Sequence, residues 1–458
     1  MISVPVSLFK AYDIRGKIDL LTPDFAYWVG RACGAIAIER GLTNLALGFD
    51  GRLSSPALAA ALSHGLVEAG VQVFDLGLSC TPLLYFAALK HAAGSGIMIT
   101  GSHNPPDYNG IKIMLGGVTV AGEALQALRQ RIETESVPCQ ASGAAQALSV
   151  TDEYYSTLQQ QLPLVQSVAR PLKIVIDCGN GSPGAVAPTL YRLLGCEVIE
   201  LYCEVDGLFP NHHPDPQVAE NLRELQATVL AQQADLGLAF DGDGDRLGVV
   251  TRSGKIIPGD HLLMLFACAE LAQRTGHILY DVKSSRAVAQ WVAQHGGTSE
   301  AIPTGHSHMK RRLRETGALV AGELSGHFAF AAWGVDDALY AGAKLLQQVA
   351  AGLDLDTELA RFPVNHSSPE LQIPLDESGH ALVEQIAQQA HFPSAQQISL
   401  IDGLRIEYTD GFGLIRASNT TPVLTLRIEA DTIVALQRIR QELAAAIAPH
   451  PFPDFEEK

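Results

Sequence analysis

The sequence predicts an α/β protein in which three tandem mixed α/β domains and a C-terminal α+β domain surround a central cleft. Three observations carry this prediction. The chain of 458 residues is long enough for about three domains, each with its own core. Short apolar runs alternate with helical patterns in three successive cycles, as in mainly parallel sheets. The last segment has a different order, with a helix before several strands, which is typical of an antiparallel sheet.

The predicted elements follow one another in a regular order. The first cycle, of order βαβαβ, covers residues 44–49, 56–69, 71–76, 81–91 and 96–100. The second repeats it over residues 173–178, 183–194, 197–203, 217–232 and 236–240. The third begins with a helix and covers residues 260–273, 277–282, 285–294, 307–315 and 318–322. The final segment adds a helix at 378–390, strands at 398–408, 413–417 and 423–429, and a helix at 432–448. We therefore place the domains at residues 1–148, 149–254, 255–365 and 366–458.

Charge and composition exclude several classes of partner. The chain has 32 Lys and Arg against 49 Asp and Glu, a formal net charge of −17, which repels nucleic acid and anionic lipid alike. Residues 1–10 hold no basic segment before an apolar run, and the longest apolar stretch, residues 261–272, is too short to span a bilayer. The seven cysteines are scattered without Cys-x-x-Cys spacing, as expected of reduced thiols. We expect a cytoplasmic protein that binds neither nucleic acid nor membrane, and a monomer rather than an oligomer.

Each α/β cycle ends an apolar strand in a polar loop. The three loops are residues 100–105 (TGSHNP), 241–246 (DGDGDR) and 322–327 (GELSGH). Open α/β sheets bind ligands just past the carboxyl ends of their strands. We therefore expect the three loops to converge on one cleft.

The second loop places carboxylates at alternate positions, with glycines that let the backbone curl between them. Asp241, Asp243 and Asp245 form an oxygen donor set that suits a hard dication such as Mg²⁺. The calcium-binding EF-hand loop needs Gly at its sixth position and Glu at its twelfth, where this loop has Arg246 and Arg252. A solvated acidic turn is the alternative to a magnesium site.

The first loop offers a hydroxyl that could carry a phosphoryl group. Ser102 is followed by His103, and Lys112 lies a few residues on. A serine phosphoryl carrier needs a nearby cation or metal, which Lys112 and the aspartate loop could supply. Taken alone, the loop is equally consistent with a turn in which Ser or Asn bonds to its own backbone.

Two further loops suggest a phosphorylated sugar as ligand. Glu323, Ser325 and His327 combine a carboxylate, a hydroxyl and an imidazole that could hold vicinal sugar hydroxyls, and His327 could also move a proton. A structural, hydrogen-bonding histidine is the alternative. Residues 416–422 (RASNTTP) supply a guanidinium, hydroxyls and an amide, as in a phosphate-binding loop. A polar hairpin loop is the alternative there.

Six motifs in order resemble the α-D-phosphohexomutase superfamily, and most closely its bacterial phosphomannomutase/phosphoglucomutase branch. They are residues 9–16 (FKAYDIRG), 100–105, 241–246, 305–307 (GHS), 322–327 and 416–422. They span nearly the whole chain. The resemblance implies a four-domain, heart-shaped fold, in agreement with the domains expected above.

The resemblance also implies a role for each candidate residue. Ser102 would be the phosphorylated serine, and Asp241, Asp243 and Asp245 would hold Mg²⁺ together with the Ser102 phosphate. Glu323 and Ser325 would bind sugar hydroxyls. A clamp for the non-reacting phosphate would consist of Arg416, Ser418, Asn419 and Thr420. Further cleft residues would be Tyr12, Arg15, His103, Lys112, Arg246, Lys283, His306 and His327. Lys112 and His327 are the candidates for proton transfer, and Arg15 and His103 are counted with the catalytic residues.

The implied reaction interconverts hexose 1-phosphate and hexose 6-phosphate, with glucose, mannose or both as the sugar. Phospho-Ser102 would donate to the free hydroxyl, and the hexose 1,6-bisphosphate intermediate, also an activator, would turn over before returning a phosphoryl group. Three alternatives remain: a metal-dependent sugar phosphatase with a Ser nucleophile, a non-catalytic phosphosugar sensor, and a phosphoglucosamine mutase. The last usually has Thr-Asp-Gly at residues 11–13 (here AYD) and Ser-Gly-Thr at 418–420 (here SNT).

Overall fold

The computed structural model describes residues 4–134, 143–164, 170–375, 379–418 and 422–455. The chain forms two compact units, each built from two stretches of sequence. The first unit comprises Met1–Leu262 and Ser325–Glu358, and the second comprises Leu263–Leu324 and Leu359–Lys458. Within the described ranges, no helix is both long and apolar enough to cross a membrane.

The first unit begins with a seven-stranded mixed sheet. Its strands are β1 (Ile14–Lys17), β2 (Asn44–Phe49), β3 (Gln72–Leu78), β4 (Gly96–Ile99), β5 (Tyr108–Leu115), β6 (Val118–Thr119) and β7 (Ala144–Ala147). The strand order is β1-β5-β4-β2-β3-β7, and β6 pairs with β5. β2, β3, β4 and β7 run parallel, which confirms the predicted parallel centre. β5 runs antiparallel to both β1 and β4, so one edge of the sheet is mixed.

Four helices accompany this sheet. They are α1 (Pro23–Glu39), α2 (Ser55–Glu68), α3 (Thr81–His91) and α4 (Glu123–Glu133). α1 begins where the Thr22 hydroxyl accepts the Phe25 amide at 3.2 Å, next to a proline at the first helical position. α1 and α2 pack at backbone distance, because a Cβ at Gly30 or Gly65 would lie 2.2 Å from a carbonyl oxygen of the other helix. Glycine is therefore required at both positions.

A second sheet of five strands follows in the first unit, together with three helices. The strands are β8 (Lys173–Asp177), β9 (Glu197–Leu201), β10 (Leu236–Phe240), β11 (Leu247–Thr251) and β12 (Ile256–Ile257), and the helices are α5 (Thr151–Gln161), α6 (Ala187–Leu193) and α7 (Arg223–Gln232). The order is β12-β11-β10-β8-β9, with β9, β8 and β10 parallel. The helices predicted at 183–194 and 217–232 each begin instead with a short 3-10 turn, Ser182–Ala185 and Ala219–Leu222.

The third α/β region contains three parallel strands and three helices in the order α8, β13, α9, β14, α10, β15. Their bounds are α8 (Gly259–Leu271), β13 (His277–Asp281), α9 (Ala287–Gln294), β14 (Thr298–Ile302), α10 (His306–Thr316) and β15 (Val320–Gly322). β13 lies between β14 and β15, parallel to both. The chain then continues through β16 (Phe328–Phe330), α11 (Ala338–Ala350) and α12 (Leu355–Leu359). The five predicted elements of this region are confirmed, whereas β14, between α9 and α10, was not predicted.

The C-terminal part of the second unit is α+β, as predicted. Its six-stranded sheet contains β17 (His366–Ser367), β18 (Leu371–Pro374), β19 (Gln397–Ser399), β20 (Leu404–Tyr408), β21 (Gly411–Ala417) and β22 (Val423–Ala430), with helices α13 (His380–Gln389) and α14 (Ile433–Ala446). All the strand pairs in this sheet are antiparallel. The single strand predicted at 398–408 was wrong, because the chain reverses at Gly403, which has a φ of +83°.

The three polar loops predicted to follow apolar strands do so. Residues 100–105 follow β4, residues 241–246 follow β10, and the 322–327 loop begins at the last residue of β15. All the residues of β4, β10 and β15 are buried. A buried strand that ends abruptly in charged residues thus marks each candidate site loop.

Candidate active site

Ser102 lies in a tight turn directly after β4. Its backbone has a φ of +50°, a left-handed conformation that residues with a side chain seldom adopt. The Ser102 amide donates to Thr100 Oγ1 at 2.8 Å, which holds the turn. The Ser102 hydroxyl donates to Asp241 Oδ2 at 2.7 Å and lies 3.2 Å from His103 Nδ1. Ser102 is 2 % exposed, so its hydroxyl is buried and faces the aspartate loop.

Arg52 was not among the predicted site residues, yet its guanidinium holds the whole Ser102 turn. Nη2 donates to the carbonyl oxygens of Ser102 and Asn104 at 2.8 and 2.6 Å. Nη1 donates to those of Pro105 and Tyr108 at 2.5 and 3.0 Å. A planar guanidinium with five N–H donors can satisfy four carbonyl groups in this way, whereas an ammonium cannot. Arg52 therefore fixes where the Ser102 hydroxyl points.

Asp50 fixes Arg52 in turn. Its Oδ2 accepts from Arg52 Nε at 3.1 Å and from the Gly101 amide at 3.2 Å. A Cβ at Gly101 would lie 2.6 Å from the guanidinium, so glycine lets the turn close over it. The ring of Phe209 covers the guanidinium, with its centroid 5.0 Å away. The signal that could have revealed this residue is the Asp-Gly-Arg sequence immediately after β2.

Three aspartates follow β10, at Asp241, Asp243 and Asp245. All are 0 % exposed, and one carboxylate oxygen from each lies within 4.8 Å of the other two. The glycine between the first two is required, because a Cβ at Gly242 would lie 2.3 Å from the carbonyl oxygen of Ser102. The aspartate loop and the serine turn are therefore packed directly against each other.

The first aspartate also organises its own loop. Asp241 Oδ1 accepts three backbone amides, from Gly244, Asp245 and Arg246, at 3.0, 3.1 and 3.1 Å. Gly244 has a φ of +80°, which allows the backbone to curl around this carboxylate. The loop is thus held in a fixed shape by one of its own side chains.

The aspartate triad fits a divalent cation in its donor set and in its electrostatics. Carboxylate oxygens are the ligands that Mg²⁺ prefers. Asp243 Oδ1 and Asp245 Oδ1 are buried and accept no hydrogen bond from the described part of the chain. Burial raises the pKa of Asp241 well above its ordinary value, and the charges of Asp243 and Asp245 raise it further. A bound dication would remove this repulsion and use the free oxygens.

Lys112 on β5 supplies the counter-charge within the protein. Its Nζ donates to Asp243 Oδ2 at 2.6 Å and to Asp245 Oδ2 at 2.5 Å. Burial lowers the pKa of Lys112, but the two carboxylates outweigh burial and raise it above its ordinary value. Burial raises the pKa of Asp245, but Lys112 and His327 outweigh burial and lower it. Lys112 is therefore held as an ammonium group near neutral pH and cannot accept a proton there.

His103 has the opposite protonation tendency. Burial lowers its pKa well below the ordinary value, and the positive charges of Arg246 and Arg15 lower it further. A neutral imidazole thus lies beside the Ser102 hydroxyl. Arg15 reaches the same loop through Asn104 Oδ1, to which its Nη1 donates at 2.9 Å.

His327 is engaged on both ring nitrogens. Arg246 Nε donates to His327 Nε2 at 3.1 Å, and the two residues also form a backbone bridge. His327 Nδ1 lies 3.3 Å from Asp336 Oδ2 and 3.7 Å from Asp245 Oδ1. The ring proton of a neutral His327 is therefore on Nδ1, facing the carboxylates. His327 can exchange a proton through Nε2 only when Arg246 gives way. Asp336 was not predicted, and no local sequence motif distinguishes it.

A second group of predicted residues lies in the second unit. Arg416, at the end of β21, is 5 % exposed, and its Nε and Nη2 lie 3.1 and 3.0 Å from Asp402 Oδ2. The same oxygen accepts the Thr304 amide at 3.0 Å. Asp402 was not predicted, although the Asp-Gly dipeptide at the chain reversal marks its position. Arg416 is thus held in place by a carboxylate with a 15 % exposed side chain.

Lys283 follows β13 in the same unit. Its Nζ donates to Glu370 Oε2 at 2.9 Å, and its carbonyl oxygen accepts from Arg427 Nη1. Burial lowers the pKa of Lys283, but Glu370 outweighs burial and raises it. Lys283 in turn lowers the pKa of Glu370. The cation therefore stays charged although it is buried.

Glu323 and His306 are also in the second unit. Glu323 is 2 % exposed, and its Oε1 accepts the Gly305 amide at 2.8 Å, directly before α10. His306, the first residue of α10, has its Nδ1 3.1 Å from the buried Lys310 Nζ. The 305–307 motif and Glu323 are therefore joined by this backbone contact.

The remaining predicted residues have less defined settings. Tyr12 and Ser325 are half-buried loop residues of the first unit. Ser418 is half-buried in the second unit, and its amide donates to the Val423 carbonyl at 3.0 Å. Asn419 and Thr420 lie outside the described residues.

Each unit thus brings together its own set of predicted residues. The first unit gathers Ser102, His103, Lys112, Asp241, Asp243, Asp245, Arg246 and His327 around one hydroxyl, with Arg15 joined through Asn104. The second unit holds Lys283 after β13, His306 at the start of α10, Glu323 directly after β15 and Arg416 near the end of β21.

Comparison with known protein families gives a consistent result over the whole chain. Four sequence models described as phosphoglucomutase/phosphomannomutase match in order. They are alpha/beta/alpha domain I at residues 6–138, domain II at 152–254, domain III at 258–364 and the C-terminal domain at 370–446.

Individual proteins are similar over nearly their full length. A phosphoglucomutase of Neisseria gonorrhoeae is 49 % identical, over 98 % of this chain and 99 % of its own. A phosphomannomutase/phosphoglucomutase of Pseudomonas aeruginosa is 47 % identical, over 98 % of each chain. The crystal structure of a phosphoglucomutase/phosphomannomutase family protein from Burkholderia thailandensis has a TM-score of 0.91. It is 46 % identical and covers 99 % of this chain and 100 % of its own.

Proposed function

The chain belongs to the phosphoglucomutase/phosphomannomutase family, and on this premise we propose that it interconverts hexose 1-phosphate and hexose 6-phosphate through a phosphoserine at Ser102. Its substrates are phosphorylated hexoses with glucose, mannose or both as the sugar. A hexose 1,6-bisphosphate is the intermediate, and added bisphosphate activates the enzyme by phosphorylating Ser102.

One observation carries this proposal. The Ser102 hydroxyl lies 2.7 Å from Asp241 Oδ2, at the edge of three buried aspartates with a buried lysine beside them. A hydroxyl in such a setting suits transfer of a phosphoryl group, because carboxylates can hold a dication and an ammonium can neutralise phosphoryl oxygens.

The first half of the reaction transfers the phosphoryl group from Ser102 to the sugar. The bond between phosphorus and Ser102 Oγ breaks as a hydroxyl oxygen of the substrate bonds to phosphorus, and the departing Ser102 oxygen takes back the proton that His103 accepted when the serine was phosphorylated. Lys112 neutralises phosphoryl oxygens, and His327 accepts the substrate hydroxyl proton at Nε2 once Arg246 has moved to the substrate. When bound to Asp241, Asp243, Asp245 and the phosphorylated Ser102, a magnesium ion would stabilise negative charge on the transferring group.

The second half reverses these roles after the bisphosphate has turned over. The other phosphoryl group returns to Ser102 Oγ, whose proton the neutral His103 accepts. His327 gives its proton to the departing sugar oxygen. Arg15 supports the serine turn through Asn104. The returning phosphoryl group therefore meets the Ser102 turn in the same position, because the Arg52 hydrogen bonds hold the turn.

Residues of the remaining loops bind the sugar and its second phosphate in this proposal. Arg416, Ser418, Asn419 and Thr420 form the phosphate clamp. Glu323 and Ser325 accept hydrogen bonds from sugar hydroxyls. The further substrate-binding residues are Tyr12, Arg246, Lys283 and His306. Arg416 supports this assignment best, because a guanidinium can bind a phosphate through two parallel hydrogen bonds.

A coupled assay tests the proposal. Glucose 1-phosphate and mannose 1-phosphate, each with magnesium and a trace of the matching 1,6-bisphosphate, should yield the 6-phosphate without release of inorganic phosphate. Stoichiometric release of inorganic phosphate would show a phosphatase instead. Turnover confined to glucosamine phosphate would show a phosphoglucosamine mutase.

A further inference from the structure

Two cysteines that take no part in the proposed reaction lie side by side in the first unit. Cys178 directly follows β8, and Cys203 follows the adjacent parallel strand β9 by two residues. Their sulfur atoms are 3.6 Å apart, and both are free thiols.

The backbone already holds these two residues together. The Cys178 amide donates to the Leu201 carbonyl at 3.2 Å, and the Asn180 amide donates to the Tyr202 carbonyl at 2.8 Å. Sulfur atoms in a disulfide are about 2.05 Å apart, so the pair must close by about 1.5 Å. A shift of this size is within reach of two loops that follow neighbouring strands.

We propose that Cys178 and Cys203 form a reversible disulfide when the protein meets a peroxide, and that this disulfide slows the phosphoryl-transfer reaction. The second half of this statement rests on the proposed function, whereas the first half does not.

The chemistry balances with hydrogen peroxide as the oxidant. Cys203 is 9 % exposed and Cys178 is 0 % exposed, so peroxide reaches Cys203 first. The Cys203 thiolate attacks the peroxide, the O–O bond breaks, and the departing hydroxide takes the thiol proton to form water. The Cys178 sulfur then attacks the sulfenic acid, the S–O bond breaks, and a second water leaves with the Cys178 proton. Two thiols have lost two electrons to one peroxide.

The surroundings of each cysteine suit its step, which is reaction with peroxide for Cys203 and reaction with the sulfenic acid for Cys178. Burial raises the pKa of Cys178 well above its ordinary value, and the neighbouring Cys203 raises it further. A thiol of this kind reacts slowly with an oxidant in solution but can react with a sulfenic acid held next to it. The order of attack therefore follows from exposure, and the contact between the sulfur atoms directs the second step.

Packing connects the cysteine pair with the aspartate loop. A Cβ at Gly184 would lie 2.0 Å from the Cys203 carbonyl oxygen, and one at Gly181 would lie 2.8 Å from Gly242 Cα. The Ser182 amide donates to the Gly242 carbonyl at 2.9 Å. The residues after Cys178 are therefore packed directly against the Gly242 backbone. A displacement of about 1 Å in a reacting group can reduce the rate by two orders of magnitude.

The test treats the full-length protein with hydrogen peroxide at neutral pH and then alkylates the remaining thiols in denaturant. We expect the protein to lose two free thiols and two hydrogen atoms in mass, and a digest to contain the Cys178 and Cys203 peptides joined together. Dithiothreitol should restore both thiols. In the same samples, kcat for hexose 1-phosphate should fall by about tenfold and recover on reduction.

Two variants and one control separate the pair from general oxidation. Cys203→Ala and Cys178→Ala should each prevent the crosslink and keep activity in peroxide. Cys33→Ala is the matched control, because Cys33 is almost equally buried, burial raises its pKa to about 12, and it lies in α1, outside the Cys178–Cys203 pair. This variant should behave as wild type.

Several results would overturn the proposal. If Cys178 and Cys203 both remain alkylatable after peroxide treatment, or are oxidised singly to sulfinic acid, the pair is not a disulfide site. If the crosslink forms but kcat is unchanged, the pair is not a switch. If either alanine variant is unstable, the crosslink in the wild-type protein still decides the first point. A chain without mutase activity that still forms the crosslink would remove the proposed function and leave the disulfide standing.

Discussion

The Ser102 cluster of the first unit and the Arg416 cluster of the second unit both contain buried cations, but they hold their charges differently. In the Ser102 cluster, made up of Ser102, Lys112, Asp241, Asp243 and Asp245, three carboxylates share one ammonium group. In the Arg416 cluster, made up of Lys283, Glu370, Asp402 and Arg416, each cation has a carboxylate of its own. Those carboxylate side chains are 32 % and 15 % exposed, whereas the aspartates of the first cluster are 0 % exposed.

This difference in charge balance and exposure indicates which ligand each cluster can bind. A surplus of buried carboxylates favours a cation, because the repulsion that raises the pKa of Asp241 is relieved when positive charge enters. A cation paired with a partly exposed carboxylate can exchange that partner for a phosphate, since the carboxylate can return to water. Substitutions in the Ser102 cluster should therefore lower kcat, and substitutions in the Arg416 cluster should chiefly raise KM.

The largest effect is expected for Ser102→Ala. This change removes the oxygen that we propose carries the phosphoryl group, so kcat should fall by at least about 10³-fold while the melting temperature changes little. Intact mass spectrometry should find one phosphate on the wild-type protein after exposure to a hexose 1,6-bisphosphate and none on the variant. A folded Ser102→Ala protein with normal turnover would remove the serine from the mechanism.

Metal removal should have the next largest effect. EDTA should abolish turnover and added Mg²⁺ should restore it, and Asp243→Asn should lower kcat by about 10²-fold or more. The reason is that the variant loses one of three carboxylates while Lys112 keeps its other partner, Asp245. Binding of Mg²⁺ can be followed by calorimetry without any substrate. Full activity after rigorous chelation would contradict the prediction.

Arg52→Lys should lower kcat by about 10- to 100-fold and leave KM within about threefold. The lysine ammonium keeps the charge but cannot donate to four carbonyl groups at once, so the Ser102 turn loses its fixed position. Arg131→Lys is a matched control, because Arg131 pairs with an exposed Glu39 away from the turn. If both variants retain wild-type kcat, the guanidinium has no positioning role.

Much of the fold and part of the candidate site could be predicted because their signals are local. An apolar strand that ends in charged residues is visible within about ten residues, and the loops after β4, β10 and β15 were all found in this way. The short strands β17 and β18 were not predicted, and neither were several others, among them β5, β11 and β14. β17 has only two residues, and β17 and β18 both form by pairing with β22, which lies far along the chain. The predicted roles of individual site residues stay predictions.

Arg52 and Asp402 were missed for the same physical reason. Arg52 acts on carbonyl groups about 50 residues away, and those groups have no side-chain signature in the sequence. Asp402 meets the Thr304 amide and the Arg416 side chain only after the sheet and the loop following β14 have formed. Polar contacts to backbone atoms leave little trace in the sequence, whereas clusters of polar side chains do.

Arg416→Ala should have the smallest effect of these changes on kcat but a clear effect on KM, which should rise by about tenfold. The substitution removes a guanidinium that can hold a phosphate through two hydrogen bonds, and leaves Asp402 without its cationic partner. In the proposed mechanism either phosphate of the bisphosphate occupies the clamp in turn, so the intermediate should also escape more often. Free hexose 1,6-bisphosphate, measured by ³¹P NMR during turnover, should therefore accumulate.

Arg438→Ala is the control, because it removes a surface ion pair from the same α+β region. It should change neither KM nor the amount of free bisphosphate. If Arg416→Ala keeps kcat/KM within about threefold of wild type, less than about 1.4 kcal/mol, the second phosphate is bound elsewhere, and the contrast between the two clusters fails.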